Sequence, residues 1–355
     1  MKAVTVVPLK AGSVDLTELP EPPNSDGPVL VQTRAVGVCG TDLEIIAGEY
    51  GWAPPGEERL AIGHESLGEV VEAPAGSGLA AGDLVVAIVR RPDPVPCLNC
   101  SVGEWDMCRN GQYTEWGIKQ HHGYARERYR ITPDFVVKVD PGLGNLGVLL
   151  EPTTVVAKAW DHIERIGKRS SWEPKTVLVT GAGPIGLLAA LLGVQRGLDV
   201  HVLDQVTDGL KPELVAALGA TYHHGTVAET KVEPDVAIEC TGAGQLIFDV
   251  MDAAGSNGIV CLTGVSSTGR ELAVDVGMLN RRMVLENDVV FGSVNANRRH
   301  YEAGAEALSK ADHQWLGRLV TRSVPLSNWQ DAYTRQPNDV KVVLQLDPGP
   351  AGAGR

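Results

Sequence analysis

The stretch Thr176-Val177-Leu178-Val179-Thr180-Gly181-Ala182-Gly183-Pro184-Ile185-Gly186 decides the fold of this chain. Its first five residues are β-branched or aliphatic, with no alternating charge, as expected of a strand buried on both faces of a sheet. The apolar run at 187–194 reads as the helix that follows. Between them, three glycines fall at the spacing Gly181-x-Gly183-x-x-Gly186. The first permits a tight turn, the second lets the backbone approach a pyrophosphate, and the third lets the helix lie close to the strand. The free N–H groups of the helix start attract that anion. A second apolar segment, 199–203, ends at Asp204, eighteen residues beyond Gly186. There an acid can accept hydrogen bonds from an adenosine ribose. The glycine pattern alone is weak, but a strand before it, a helix after it and the acid beyond make it specific for a dinucleotide.

Outward from this unit, a helix is expected at 210–218 and strands at 236–239, 259–262 and 289–293. Strands and helices alternating at this spacing predict an α/β doubly wound parallel sheet with right-handed crossovers. Before Lys175 the pattern differs. Segments 29–34, 84–89 and 136–139 are short, β-branched and bounded by Gly, Pro or Asp, which reads as a β-rich domain. Residues 149–166 then read as a linking helix. A final helix at 302–310 and strand at 341–346 are too few for a third domain and are expected to rejoin the first. A length of 355 residues suits two domains. The expected division is 1–152 with 298–355, and 153–297. The Pro/Gly/Ala tail 348–355 is expected to fray.

Composition narrows the class. A net charge of −13, with basic residues only in short groups such as Arg90-Arg91 and Arg126, Arg128, Arg130, gives no nucleic-acid face. No apolar run approaches the roughly 20 residues that span a bilayer. The start, MKAVTVVPLK, is too short and polar for a signal peptide. A cytoplasmic setting is therefore expected, in which six cysteines are free thiols or metal ligands rather than disulfides.

Four residues of the β-rich half have metal-ligand chemistry. They are Cys39 in Gly37-Val38-Cys39-Gly40-Thr41-Asp42, His64 and Glu65 in Gly63-His64-Glu65, and Glu151 in Leu150-Glu151-Pro152. Singly, each has an ordinary reading as a core thiol, a core imidazole or a surface acid. Their order along the chain, with Gly181-x-Gly183-x-x-Gly186 after them, resembles the zinc-dependent medium-chain alcohol dehydrogenase superfamily. Within it the chain resembles the glucose dehydrogenase branch, through Val89-Arg90-Arg91-Pro92, Glu115-Trp116-Gly117-Ile118, His122-Gly123-Tyr124 and Gly292-Ser293-Val294-Asn295-Ala296-Asn297. The departure, Pro74 near an expected small residue, reads as loop variation.

The resemblance implies a GroES-like β-rich catalytic domain beside the Rossmann domain. It implies zinc on Cys39, His64 and Glu151, with Glu65 joining or leaving the shell. It makes Thr41 a proton relay and Glu115 an acceptor for sugar hydroxyls. It also implies NAD contacts from Gly181, Gly183, Pro184, Ile185, Gly186, Asp204, Thr241, Gly264, Ser293 and Asn295, the last beside the nicotinamide. Cys97, Cys100 and Cys108 resemble a structural zinc lobe whose first cysteine is replaced by Pro94. Asp93, next to it, is the candidate fourth ligand, and an occupied and an empty lobe stand equal. Cys240, Cys261, Trp315 and Trp329 read as packing, and His223-His224 as surface.

The expected reaction is hydride transfer from a sugar hydroxyl, at the anomeric carbon of glucose or a related aldose, to NAD, giving a lactone. NADP is less favoured, because Asp204 faces its 2′-phosphate and no base follows before Lys211. Two alternatives remain: a zinc dehydrogenase of another polyol, cyclitol or secondary alcohol, and a metal-free quinone reductase-like protein. The expected partners are a small sugar or polyol and further copies of the chain in a homodimer or homotetramer. Neither nucleic acid nor membrane is expected.

Overall fold

The computed structural model describes residues 1–266 and 271–346, so the tail expected to fray lies outside them. The chain forms two compact units, one of Met1–Glu151 with the chain from Asn295 onward, the other of Pro152–Val294. It passes from one to the other within the helix Leu150–Gly167.

In the second unit all six strands run parallel. Their order is Thr221–His223, Asp199–Leu203, Thr176–Thr180, Val236–Glu239, Ile259–Leu262, Val289–Gly292. The chain therefore starts in the centre, works to one edge, then returns and works to the other, the doubly wound order. The edge strand Thr221–His223 corrects the reading of His223 as surface that merely follows a turn. It is only three residues long, too short for a periodicity. His223 lies on it, with Nε2 2.9 Å from Nδ1 of His201 on the next strand.

The helix Pro184–Gln195 buries every residue from Gly186 to Gly193, so it is a core helix rather than an amphipathic one. Gly183 is its N-cap and Pro184 takes the first turn, where a missing N–H costs nothing. Gly181 has φ 88°, a left-handed turn disfavoured for other residues. A Cβ on Gly186 would overlap the Gly181 carbonyl oxygen, so the third glycine is a packing requirement.

In the first unit the main sheet runs Val136–Lys138, Leu84–Ala87, Glu65–Glu72, Val29–Val38, Lys341–Gln345, Val320–Pro325, with Arg128–Ile131 also pairing Val29–Val38. The C-terminal strand returns as expected, with Val342–Gln345 antiparallel to Ala35–Val38. Strand Val320–Pro325 and helix His313–Leu319 were not foreseen. Trp315 and Trp329 are buried, consistent with packing. Pro74 opens a turn closed by Ser77 N–H to its carbonyl. Among the described residues, no helix is long and apolar enough to cross a membrane.

Two substitutions test the glycine assignments. Gly186→Ala should destabilise the protein by about 1–3 kcal/mol, since the added methyl has nowhere to go. Gly183→Ala, with nothing within 4 Å of its Cβ, should stay within about 0.5 kcal/mol of wild type. Urea unfolding of both variants checks the contrast, and equal losses would refute it.

Candidate active site

Strand Val29–Val38 ends one residue before Cys39, whose extended backbone (φ −109°, ψ 165°) caps the helix Gly40–Ala47. The cap is made by Asp42, whose Oδ2 accepts the Cys39 N–H at 2.9 Å. Its other oxygen accepts Gly63 N–H at 3.2 Å and lies 3.3 Å from Nδ1 of His64. Asp42 is completely buried. It thus ties the Cys39 turn to the Gly63-His64 segment. The Asp42 contact to His64 is close but badly aligned, leaving the buried Nδ1 without a hydrogen bond among the described residues. With Nδ1 turned towards a carboxylate, Nε2 is the nitrogen left to ligate. Burial opposes protonation of His64, but the charges of Asp42 and Cys39 outweigh it and hold the imidazole well above its ordinary pKa.

One ligand atom each from Cys39, His64 and Glu65 lie within 4.8 Å of one another. Glu65 pairs with Gly37 across the antiparallel strands, and a Cβ on Gly37 would overlap its Oε2. Its carboxylate is held by Lys341 on the C-terminal strand, with Nζ 2.7 and 2.6 Å from the two oxygens. Both residues are buried. Burial opposes the Lys341 charge, and Glu65 and Cys39 more than restore it, raising its pKa.

Glu151 does not join the cluster of three. It opens the helix Leu150–Gly167, buried, with its carboxyl pushed up to about 7 by burial, lowered by His64 and raised by Glu65. Two buried carboxylates repel without a cation between them. A thiolate, an imidazole and carboxylates suit a divalent zinc ion, so the residues fit the metal that the motif order implies. Thr41 lies half-buried in the first helical turn, two residues past Cys39.

Glu115 is buried in an ion pair, its Oε1 3.0 Å from Arg90 Nε and 2.9 Å from Nη2. The Arg90 guanidinium stacks on Tyr113, 3.8 Å from the ring centroid. Asn295, at φ 62°, donates its amide to the same Glu115 oxygen at 2.7 Å. Asn295 is therefore a partner of Glu115 in the first unit, a contact its expected place beside a nicotinamide did not suggest.

The sulfurs of Cys97, Cys100 and Cys108 lie within 4.8 Å of one another, and Asp93 is not among them. The Asp93 Oδ1 accepts Val95 N–H at 2.8 Å, so the carboxylate turns back on its own loop. Spacing had placed Asp93 beside Pro94 but could not set its direction.

In the second unit, Gly183 has open space where its Cβ would be. That is the cradle a pyrophosphate needs, at the start of a helix. Asp204 accepts Ala182 N–H at 2.6 Å and Val206 N–H at 3.2 Å, and Lys211 Nζ lies 3.1 Å from its Oδ2. Burial works against its charge, but these donors outweigh it and lower the pKa. Thr241 and Gly264 sit at Glu239, a buried acid that sequence reading missed. Its carboxylate accepts N–H groups of Thr241 (2.7 Å) and Gly242 (3.0 Å), the Thr241 hydroxyl, and the Thr180 hydroxyl (3.3 Å). Ser293, just past the edge strand, is buried with its hydroxyl unpaired among the described residues. The site residues missed from sequence were Asp42, Glu239, Arg90 and Lys341. Only Asp42 carried a signal, lying three residues after its cap.

Known proteins match both units. The alcohol dehydrogenase GroES-like domain model matches residues 25–141, and the glucose dehydrogenase C-terminus model matches 144–346. A glucose 1-dehydrogenase of Methanocella arvoryzae is 39% identical, over 98% of this chain and 99% of its own. Glucose 1-dehydrogenase 2 of Vulcanisaeta moutnovskia is 41% identical, over 98% and 99%. The solved Haloferax mediterranei glucose dehydrogenase, in complex with NADP, Zn and gluconolactone, superposes with a TM-score of 0.90 at 32% identity, covering 98% of this chain and 99% of that one. The chain belongs to the glucose dehydrogenase branch of the zinc-dependent medium-chain alcohol dehydrogenase superfamily.

Proposed function

We propose that this chain oxidises the anomeric hydroxyl of an aldose, glucose or a close relative, to a lactone, using zinc and NAD(P)⁺. The observation that carries the reading is the grouping of Cys39, His64 and Glu65 around the buried Asp42. A metal-free quinone reductase-like protein has no use for that donor set. The Haloferax relative, bound to zinc and gluconolactone, supports both the metal and the product class.

Cys39, His64 and Glu151 would hold the zinc, with Asp42 orienting His64 from behind. When bound, the metal supplies a Lewis acid that lowers the pKa of a sugar hydroxyl, and the nicotinamide supplies the hydride acceptor. Lys341 occupies both Glu65 oxygens, which keeps Glu65 a reserve ligand rather than a standing one. The Thr41 hydroxyl takes the departing proton towards solvent. Glu115, aligned by Arg90 and Asn295, accepts a sugar hydroxyl on its remaining lone pairs. Gly181, Gly183 and Gly186 with the helix start at Pro184 and Ile185 bind the pyrophosphate, and Asp204 the adenosine ribose. A panel of aldoses and polyols with either nucleotide, followed as reduced nicotinamide at 340 nm, tests the substrate class. Failure of every sugar would overturn it.

Cys39→Ser and His64→Ala should lower kcat by about a thousandfold or more, the loss of several kcal/mol of charge stabilisation. The fold and dinucleotide binding should survive, and full turnover by demonstrably zinc-free protein would refute the assignment. Glu115→Gln is the informative change at the sugar position. It keeps an acceptor for the buried Arg90, whereas alanine would strand a charge. It should lower kcat/KM for the best sugar by about 1–3 kcal/mol. An unchanged value would remove Glu115 from the substrate contacts.

NAD⁺ is the favoured nucleotide in this reading, since Asp204 repels a 2′-phosphate, while Lys211 beside it limits the discrimination. Asp204→Ala should shift the kcat/KM ratio towards NADP⁺ by about tenfold or more. Lys211→Met should shift it the other way. Measured ratios that stay put in both variants, or a wild type that prefers NADP⁺, would defeat the proposal.

A further inference from the structure

A pocket of about 240 Å³ opens in the unit that contains Cys39 and His64. None of its lining residues belongs to the Cys39–His64–Glu65 cluster or has a part in the proposed reaction. Two residues that line it, Arg126 and Trp116, are each only 3% exposed. Arg126 Nε and Trp116 Nε1 make no hydrogen bond among the described residues. Arg126 is also without an ion pair there. Its guanidinium lies 5.6 Å from the Trp116 ring centroid, a contact that satisfies none of its N–H donors. Burial drags its pKa down to about 10. Arg126 Nε and Trp116 Nε1 are both closed to solvent, so it is the rest of the Arg126 guanidinium that meets the pocket, and a guanidinium so deeply buried with neither hydrogen bond nor ion pair among the described residues calls for an occupant.

The other groups of the pocket define its chemistry. Asp26 and Glu57 supply acceptors, Glu57 being also bonded to His122 at 2.9 Å. The His121 imidazole lies flat on Trp116, with ring centroids 5.1 Å apart and planes 9° apart. Burial, with the charges of Arg91 and Arg126, lowers its pKa to about 4, so it is an uncharged ring at neutral pH. An anionic occupant would meet the carboxylates, and a cationic one would meet Arg126. Neutral hydroxyls serve both, accepting from Arg126 and donating to Asp26 and Glu57. The C–H face of a sugar ring suits the flat imidazole.

We propose that this pocket is a second, non-catalytic site for a single neutral sugar ring. It lies close to the first sugar contact in sequence. Trp116 follows Glu115 on the strand Thr114–Trp116, where successive side chains point to opposite faces. The inference takes only its choice of probe from the proposed function.

The test uses the zinc-loaded full chain and 1,5-anhydro-D-glucitol, which has no anomeric hydroxyl to oxidise. Hydrogen–deuterium exchange reads binding separately at segments 19–26 and 54–57, which line the pocket, and at 37–42 and 63–65, which carry the metal ligands. The probe should protect the pocket segments in wild type. Arg126→Met and Asp26→Asn should each weaken that protection by about tenfold or more, the loss of one charge-assisted hydrogen bond. Both should leave kcat and KM for the best sugar unchanged. If Arg126→Met does not fold, Asp26→Asn, which alters only a half-buried side chain, decides alone. No protection of the pocket segments up to the solubility limit of the probe would mean that water alone fills the pocket, and protection that both variants retain would mean that the probe acts without Arg126 and Asp26; either result overturns the site. Pocket protection in a protein that oxidises no sugar would leave this inference standing and the proposed function refuted, and the reverse result would do the opposite.

Discussion

The cluster of Cys39, His64 and Glu65 depends on one fully buried carboxylate. Asp42 accepts N–H groups from Cys39 and Gly63 and faces Nδ1 of His64. A buried anion without such donors would be disfavoured by several kcal/mol. Those donors exist only when the turn at Cys39 and the segment at Gly63 lie against each other. The energetic demand of one acid therefore sets the distance between a thiol and an imidazole that are twenty-five residues apart in the chain. Substituting Asp42 would remove neither the thiol nor the imidazole, but it would free both to drift.

A second constraint acts across the sheet. Glu65 lies over Gly37 on one side, where no side chain fits, and against Lys341 on the other. Lys341 arrives on the last strand of the unit, paired to Ala35–Val38 through Val342–Gln345. The return of the chain to its first sheet thus completes the charge balance of the cluster as well as the core. The Glu151 carboxyl is pushed up to about 7 by burial, with His64 and Lys341 lowering it and Glu65 adding to the rise.

These relations explain what the sequence disclosed. The dinucleotide motif was legible because strand, glycine turn, helix and acid are consecutive, and Gly181 and Gly186 each answer a local steric demand. The doubly wound sheet followed from the same alternation, except for Thr221–His223, which has too few residues to carry a period. The motif order drew Cys39, His64 and Glu151 together, with Glu65 joining or leaving, only by resemblance, since no spacing rule joins residues held by a third. Lys341 gave no signal and Arg90 entered only within the string Val89-Arg90-Arg91-Pro92, without a role, because a lysine or arginine reads as surface until its partner is known. Asp93 was placed by spacing, but Val95 N–H, two residues on, decides where its carboxylate points.

Asp42 has a counterpart in the other unit. Glu239 is equally buried and is satisfied by N–H groups of Thr241 and Gly242 and hydroxyls of Thr180 and Thr241. It pins the end of one central strand to the loop after the next, close under Gly264. With 41 glycines, this chain has many loops whose backbone entropy would otherwise keep them loose. A carboxylate that gathers several directional N–H donors fixes such a loop more sharply than apolar packing can. Asp204 follows the same pattern only in part. It holds Ala182 and Val206 by their N–H groups, but it is half-exposed and shared with the mobile arm of a lysine. Asp42 and Glu239 find the donors they need inside the protein. Asp204, at the rim, keeps acceptor capacity that only something from outside the protein can use.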